Sequence, residues 1–156
     1  AEAGSFRGDW NIVDISALLE DLGQLYSDEA EVQGKLFELQ VEPGLQLKGN
    51  RHLLGQGIRN LLDNAFNFTP IGSTIKLTAT ASSGHLLLAV SDNGAGIPAD
   101  LREKVLERFI RLAPERSSAG NGLGLSLVKA VADLHEARLL LEDCRPGLRV
   151  SLSFNL

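Results

Sequence analysis

The tightest constraint on the fold is an ordered trio of motifs. Asn60-Leu61-Leu62-Asp63-Asn64 comes first, Asp92-Asn93-Gly94-Ala95-Gly96 second, and Gly120-Asn121-Gly122-Leu123-Gly124-Leu125 third. Local patterning places the first on a helix, the second at a strand end and the third at the start of another helix. A fold that uses all three must bring an amide-bearing helix face, a strand-end carboxylate and a helix N-terminus together. That combination points to a bound nucleotide.

Apolar residues Ile15, Leu18, Leu19, Leu22, Leu25 and Tyr26 are spaced for an amphipathic helix over 15–31, with Ser16 as its cap. Residues 35–41 and 45–48 alternate around Glu42-Pro43-Gly44 and predict a hairpin. Helical spacing returns over 51–68, burying Leu54, Ile58, Leu61, Leu62 and Ala65, until Thr69-Pro70-Ile71-Gly72 stops it. Strands over 73–81 and 86–91 flank the turn Ser82-Ser83-Gly84-His85, and the second delivers Asp92 at its end. Residues 93–121 are loop-rich, with a short helical pattern over 99–107; an excursion of that length is expected of a functional lid or a disordered segment. A third helix over 123–135 and a last hairpin of 138–142 with 149–154 close the chain. The expected architecture is a two-layer α/β sandwich, a mixed, mostly antiparallel sheet covered on one face by three helices. Strands and helices do not alternate as in a dinucleotide-binding unit, and Gly94 and Gly96 do not open a helix at once, so that reading fails.

On the second helix, positions 53, 57, 60, 64 and 67 form one stripe, so Asn60, Asn64 and Asn67 project side by side. Asparagine is a mediocre helix former, and its amide oxygen is a hard, neutral ligand suited to one site on magnesium while phosphates and waters fill the others. Asp92 suits an acceptor for an exocyclic amine such as that of adenine, with Gly94 and Gly96 letting backbone approach the ring. Gly120, Gly122 and Gly124 leave backbone free to wrap phosphate where a helix presents its unpaired amides. Leu123 and Leu125 anchor that loop in the core. Singly, a solvated polar edge, an Asp-Asn-Gly turn or a flexible linker explains each motif. Their conjunction, in this order, is what favours a nucleotide.

The 156 residues, 44% of them hydrophobic, suffice for one core. A net charge of −5 with interspersed signs offers no basic stripe, so no nucleic-acid partner is expected. The single cysteine, Cys144, suits a reducing compartment, and no apolar run approaches the roughly 18 residues of a membrane helix. A cytoplasmic domain is expected. The chain contains no methionine and opens on Ala1-Glu2-Ala3-Gly4-Ser5, which reads as a linker within a longer protein.

The three motifs, Asn60 to Ala65, Asp92 to Pro98 and Gly120 to Leu125, resemble the N, G1 and G2 boxes of the catalytic ATP-binding domain of bacterial two-component sensor histidine kinases. Glu107-Arg108-Phe109-Ile110-Arg111 is similar to the F box between them. The resemblance implies the Bergerat fold over 9–156, a linker over 1–8 and an ATP lid over about 97–121, a span set by the flanking boxes. It implies ATP and Mg2+ as cofactors, with Asn64 as metal ligand and Asn60 beside it in the catalytic pair. Asn67, Phe68, Asp92, Gly94, Gly96, Ile97, Arg108, Phe109, Arg111, Gly120, Gly122, Leu123, Gly124 and Leu125 complete the nucleotide site, with Arg116 a further lid cation.

Hydrolases of the same fold carry a glutamate general base where Asn60 stands; asparagine cannot take a proton from water, so transfer to another nucleophile fits better. The resemblance places that nucleophile, a histidine, on a separate dimerisation domain, with a response regulator downstream. The domain alone is expected to be monomeric and the parent a homodimer, with its anchoring in the inner membrane left open. His52, His85 and His135 lack the flanking pattern of a phosphoacceptor and read as surface or structural. Three positions depart from the family: Asn67 stands where a lysine or arginine is usual, Phe68 where tyrosine or histidine is, and Leu148 where threonine is. Asn67 keeps open a regulatory ATP-binding module without phosphotransfer. A serine kinase of the anti-sigma type is the other alternative, although that class usually has glutamate at position 60.

Overall fold

The computed structural model describes residues 10–93, 122–143 and 147–156. The elements run β1 (Asn11–Asp14), α1 (Ile15–Gln33), β2 (Leu36–Val41), β3 (Gln46–Gly49), α2 (Arg51–Asn67), β4 (Thr74–Ser82), β5 (His85–Asp92), α3 (Gly122–Leu134), β6 (Arg138–Asp143) and β7 (Leu148–Asn155). Five strands form a sheet in the order β2-β4-β5-β7-β6, and β1 and β3 form a separate pair. β2 runs parallel to β4, and the remaining neighbours are antiparallel.

Alternation along the strands decides which face is buried. Ile75, Leu77 and Ala79 on β4, Leu86, Leu88 and Val90 on β5, and Val150, Leu152 and Phe154 on β7 point inward together. They share one core with Leu18, Leu19 and Leu22 of α1, Leu54, Ile58, Leu61 and Leu62 of α2, and Leu125, Val128 and Val131 of α3. Three helices over one face of a mixed sheet is the expected two-layer sandwich.

Three local expectations are corrected. β2 and β3 are not a hairpin: β2 joins the main sheet beside β4, with Leu36 opposite Thr74, and β3 pairs antiparallel with β1. The turn between them is real, since Gly44 has φ +75, but a turn does not choose a strand's partner. The cap of α1 is Asp14, whose side chain accepts from Ala17 N at 3.0 Å, and not Ser16. Ser16 is buried and bonded elsewhere: its hydroxyl donates to Glu42 O at 2.6 Å and accepts from Leu45 N at 2.9 Å, stitching α1 to the β2–β3 connection. Leu25, expected on the inner face of α1, is exposed.

Candidate functional site

The asparagine stripe owes its direction to α2. Asn50 starts the helix by accepting from Leu53 N at 3.0 Å. Gly57, on the same stripe as the asparagines, is buried against α3; a Cβ there would sit 3.4 Å from Val131 Cγ1. At the other end of the pair, Asn50 N donates to His135 Nε2 at 3.1 Å, so the start of α2 lies beside the end of α3. The helices are therefore antiparallel, and Asn60 and Asn64 continue the stripe towards the start of α3, where Gly122 opens the helix.

Asn64 is half-buried, and its Oδ1 is shielded from solvent with no hydrogen-bond partner among the described residues. Leaving such an oxygen unsatisfied costs about 1–3 kcal/mol. Trp10 Nε1, Ser126 Oγ, Arg149 Nε and Ser151 Oγ share that condition, so orphaning alone does not define a ligand site. The indole and guanidinium nitrogens are donors and cannot hold a cation. Asn64 differs from all four in being a carbonyl-type acceptor on a stripe with a second asparagine. Among the described residues no cluster of three His, Cys, Asp or Glu side chains could hold a metal. A cation here must bring most of its oxygen ligands with it, as magnesium triphosphate does.

The rear of α2 is braced. The Tyr26 hydroxyl donates to Asp63 Oδ1 at 2.7 Å and lies 3.3 Å from Arg59 O. Burial, reinforced by the Asp63 hydrogen bond and charge, pushes the Tyr26 phenol well above its ordinary range. The Tyr26 ring stacks on Phe66 with centroids 5.6 Å apart. The Lys35 ammonium donates to Phe66 O and stands 5.9 Å from that ring's centroid, its pKa lowered by burial. Thr69 Oγ1 donates to Ala65 O at 2.7 Å and Phe68 N to Asn64 O at 3.0 Å, so the last carbonyls of α2 are occupied from behind. Neither Tyr26 nor Lys35 stood out in the sequence. The one available signal was a lysine placed directly after the left-handed Gly34, where the chain turns inward.

Asp92 closes β5 opposite Ile75, on the helix side of the sheet by alternation. Asn93 fixes the strand end, its N donating to Thr74 O at 3.3 Å and its Oδ1 accepting from Thr74 N at 2.8 Å. Gly147 is packed against this corner: with φ +108, a Cβ would fall 1.7 Å from Asp92 O. Only glycine fits. Leu148 N donates to Asp92 Oδ1 at 3.4 Å, a long contact made by the backbone.

His135 is built into the structure. Its Nδ1 donates to Val131 O at 2.8 Å while Nε2 accepts from Asn50 N, which fixes the neutral Nδ1–H tautomer. Trp10 stacks on the ring at 4.5 Å, Phe154 meets it edge-on at 6.2 Å, and burial lowers its pKa. His52 and His85 are exposed.

Of the remaining expected site residues, Leu125 is buried in α3, whereas Asn67 and Phe68 are exposed at the end of α2, Phe68 as its C-cap. Gly122, Leu123 and Gly124 form the first turn of α3. Gly94, Gly96, Ile97, Arg108, Phe109, Arg111, Arg116 and Gly120, with the lid expected over 97–121, lie outside the described residues.

Comparisons with known proteins identify the family. Residues 49–156 match the family described as histidine kinase-, DNA gyrase B- and HSP90-like ATPase. The chain is 35% identical over 137 residues to the sensor histidine kinase TmoS of Ectopseudomonas mendocina, covering 86% of this chain and 14% of that protein. It is 42% identical over 112 residues to the signal transduction histidine-protein kinase/phosphatase MprB of Mycolicibacterium vanbaalenii, covering 71% of this chain and 23% of the relative. It thus spans less than a quarter of the length of either. A solved mycobacterial sensor histidine kinase MprB superposes with a TM-score of 0.77 at 29% identity, over 94% of this chain and 97% of that one. The chain therefore belongs to the histidine kinase-, DNA gyrase B- and HSP90-like ATPase family, on the branch whose relatives are sensor histidine kinases.

Proposed function

We propose that the chain binds ATP with Mg2+ and donates the γ-phosphoryl group to a histidine on a separate dimerisation domain of the same protein, in two-component signalling. The observation that carries this reading is the buried Asn64 Oδ1, without a hydrogen-bond partner among the described residues, on one helix stripe with Asn60. An acceptor oxygen held out of water without a donor fits a cation, and Asn64 would hold Mg2+. When bound, the ion supplies neutralisation of triphosphate charge.

The chain's own residues do the rest. Asp92 accepts a hydrogen bond from the adenine amine, at a corner set by Gly147 and Asn93. The first turn of α3 offers unpaired backbone N–H groups and a positive dipole end to phosphate. Asn60, which cannot act as a base, leaves water unactivated, so the γ-phosphoryl group awaits an imidazole brought in line. Among the chain's own histidines, His135 has both ring nitrogens occupied, which supports an acceptor outside this domain.

On this reading a response regulator receives the phosphoryl group from the histidine. The domain is monomeric by itself, within a parent homodimer. It works on the cytoplasmic side, where ATP is available. No helix of the described residues is long and apolar enough to cross a membrane.

The test is to incubate the chain with ATP, Mg2+ and the histidine-bearing dimerisation domain of its own full-length protein. Acid-labile phosphohistidine is expected. Tight ATP binding with no phosphohistidine overturns the kinase reading in favour of a regulatory module, and acid-stable phosphate overturns it in favour of a serine kinase.

A further inference from the structure

The two residues that Tyr26 grips stand immediately before the two asparagines of the site. Its hydroxyl donates to Asp63 Oδ1 at 2.7 Å and lies 3.3 Å from Arg59 O, and Arg59 and Asp63 precede Asn60 and Asn64. Residues four apart lie on one helix face, and consecutive residues are turned by about 100°. Holding Arg59 and Asp63 therefore fixes the rotational phase of Asn60 and Asn64. Packing alone does not explain the phenol oxygen, because stacking on Phe66 needs only the ring.

Such a hold has work to do. The Asn64 amide oxygen is buried without a partner among the described residues, and a small rotation of α2 would let it reach water and relieve that penalty. The Tyr26 contact opposes the rotation from the side of the helix that meets α1, about one turn before the point where Lys35 fixes Phe66 O. We infer that Tyr26, acting through Asp63, is a positioning residue that keeps Asn64 Oδ1 oriented for magnesium triphosphate. The inference rests on the proposed role of Asn64, and it deepens that role by naming what aims the ligand.

Calorimetric titration of ATP into the chain, once with Mg2+ and once with EDTA, gives the magnesium enhancement as a ratio of affinities. Tyr26→Phe keeps the ring and its stack. It is expected to lower affinity for ATP with Mg2+ about 5- to 10-fold, the scale of one net hydrogen bond, while leaving affinity in EDTA nearly unchanged. Asp63→Ala should match Tyr26→Phe, the double variant should be no worse than either, and Asp63→Asn, which keeps an acceptor, should recover most of the loss. Equal losses with and without Mg2+, or no loss in Tyr26→Phe, overturn the inference and leave the role of Asn64 standing. If Asp63→Ala does not fold, Tyr26→Phe and Asp63→Asn decide by the same ratios. A native chain whose ATP affinity is indifferent to Mg2+ removes the Asn64 reading, and this inference falls with it.

Discussion

The two ends of the α2–α3 pair are built on opposite plans. At the closed end, Asn50 and His135 satisfy each other: the Asn50 side chain caps α2, its N–H reaches His135 Nε2, and His135 Nδ1 reaches Val131 O. Gly49 leaves room for the ring, since a Cβ there would stand 2.7 Å from His135 Cδ2. At the open end, Asn64 Oδ1 is buried with no partner among the described residues, while the helix around it is braced by Tyr26, Lys35 and Thr69. One end spends its polar groups on itself and sets the helix pair. The other withholds an acceptor and holds it still, as expected where a ligand completes the structure.

The comparison can be broken most severely at the strand corner beside the open end. Gly147→Ala forces a Cβ into Asp92 O and keeps a left-handed φ, so it should cost on the order of 3 kcal/mol or more and abolish ATP binding. Chemical unfolding and calorimetry read both. Asp92→Ala should lower ATP affinity on the order of 100-fold, the upper range for a hydrogen bond to a charged group, with the fold retained. Unchanged calorimetric affinity would refute the adenine assignment.

The closed end should behave differently. His135→Leu strands the Asn50 N–H and should cost about 1–3 kcal/mol of unfolding free energy, with little change in the ATP affinity of the folded protein. A large affinity loss at full folding would show that the two ends are not separable in this way. The pH effect is smaller. Burial lowers the His135 pKa in the fold, so the unfolded chain takes up the proton first, and stability should be complete above about pH 6.5 and fall below it by less than ~1.4 kcal/mol per pH unit. Urea unfolding at several pH values checks this, and His135→Gln should remove that slope.

Much of the open end was legible in the sequence because its chemistry is carried by short motifs on single elements. The helical period of 51–68 placed Asn60 and Asn64 on one stripe, and alternation carried Asp92 to a strand end. Partners distant in the chain were not legible. Tyr26 and Asp63 are separated by 37 residues, and nothing local to Tyr26 distinguishes a phenol that braces a helix from one that fills a core. The β2–β3 hairpin was misread for the same reason. The turn at Gly44 is a local feature, but the choice of β4 over β3 depends on distant core residues, against which Phe37 and Val41 pack. Ser16 is not the cap because distant groups, Glu42 O and Leu45 N, engage its hydroxyl, which leaves the cap to Asp14.

The central claim is that Asn64 presents an acceptor reserved for ATP-bound magnesium. Calorimetry of ATP binding to the native chain and to Asn64→Ala, each with Mg2+ and with EDTA, tests it most directly. The account predicts that the native chain binds more tightly with Mg2+ and that Asn64→Ala loses this enhancement while keeping its affinity in EDTA. An enhancement of the same size in both proteins would contradict it.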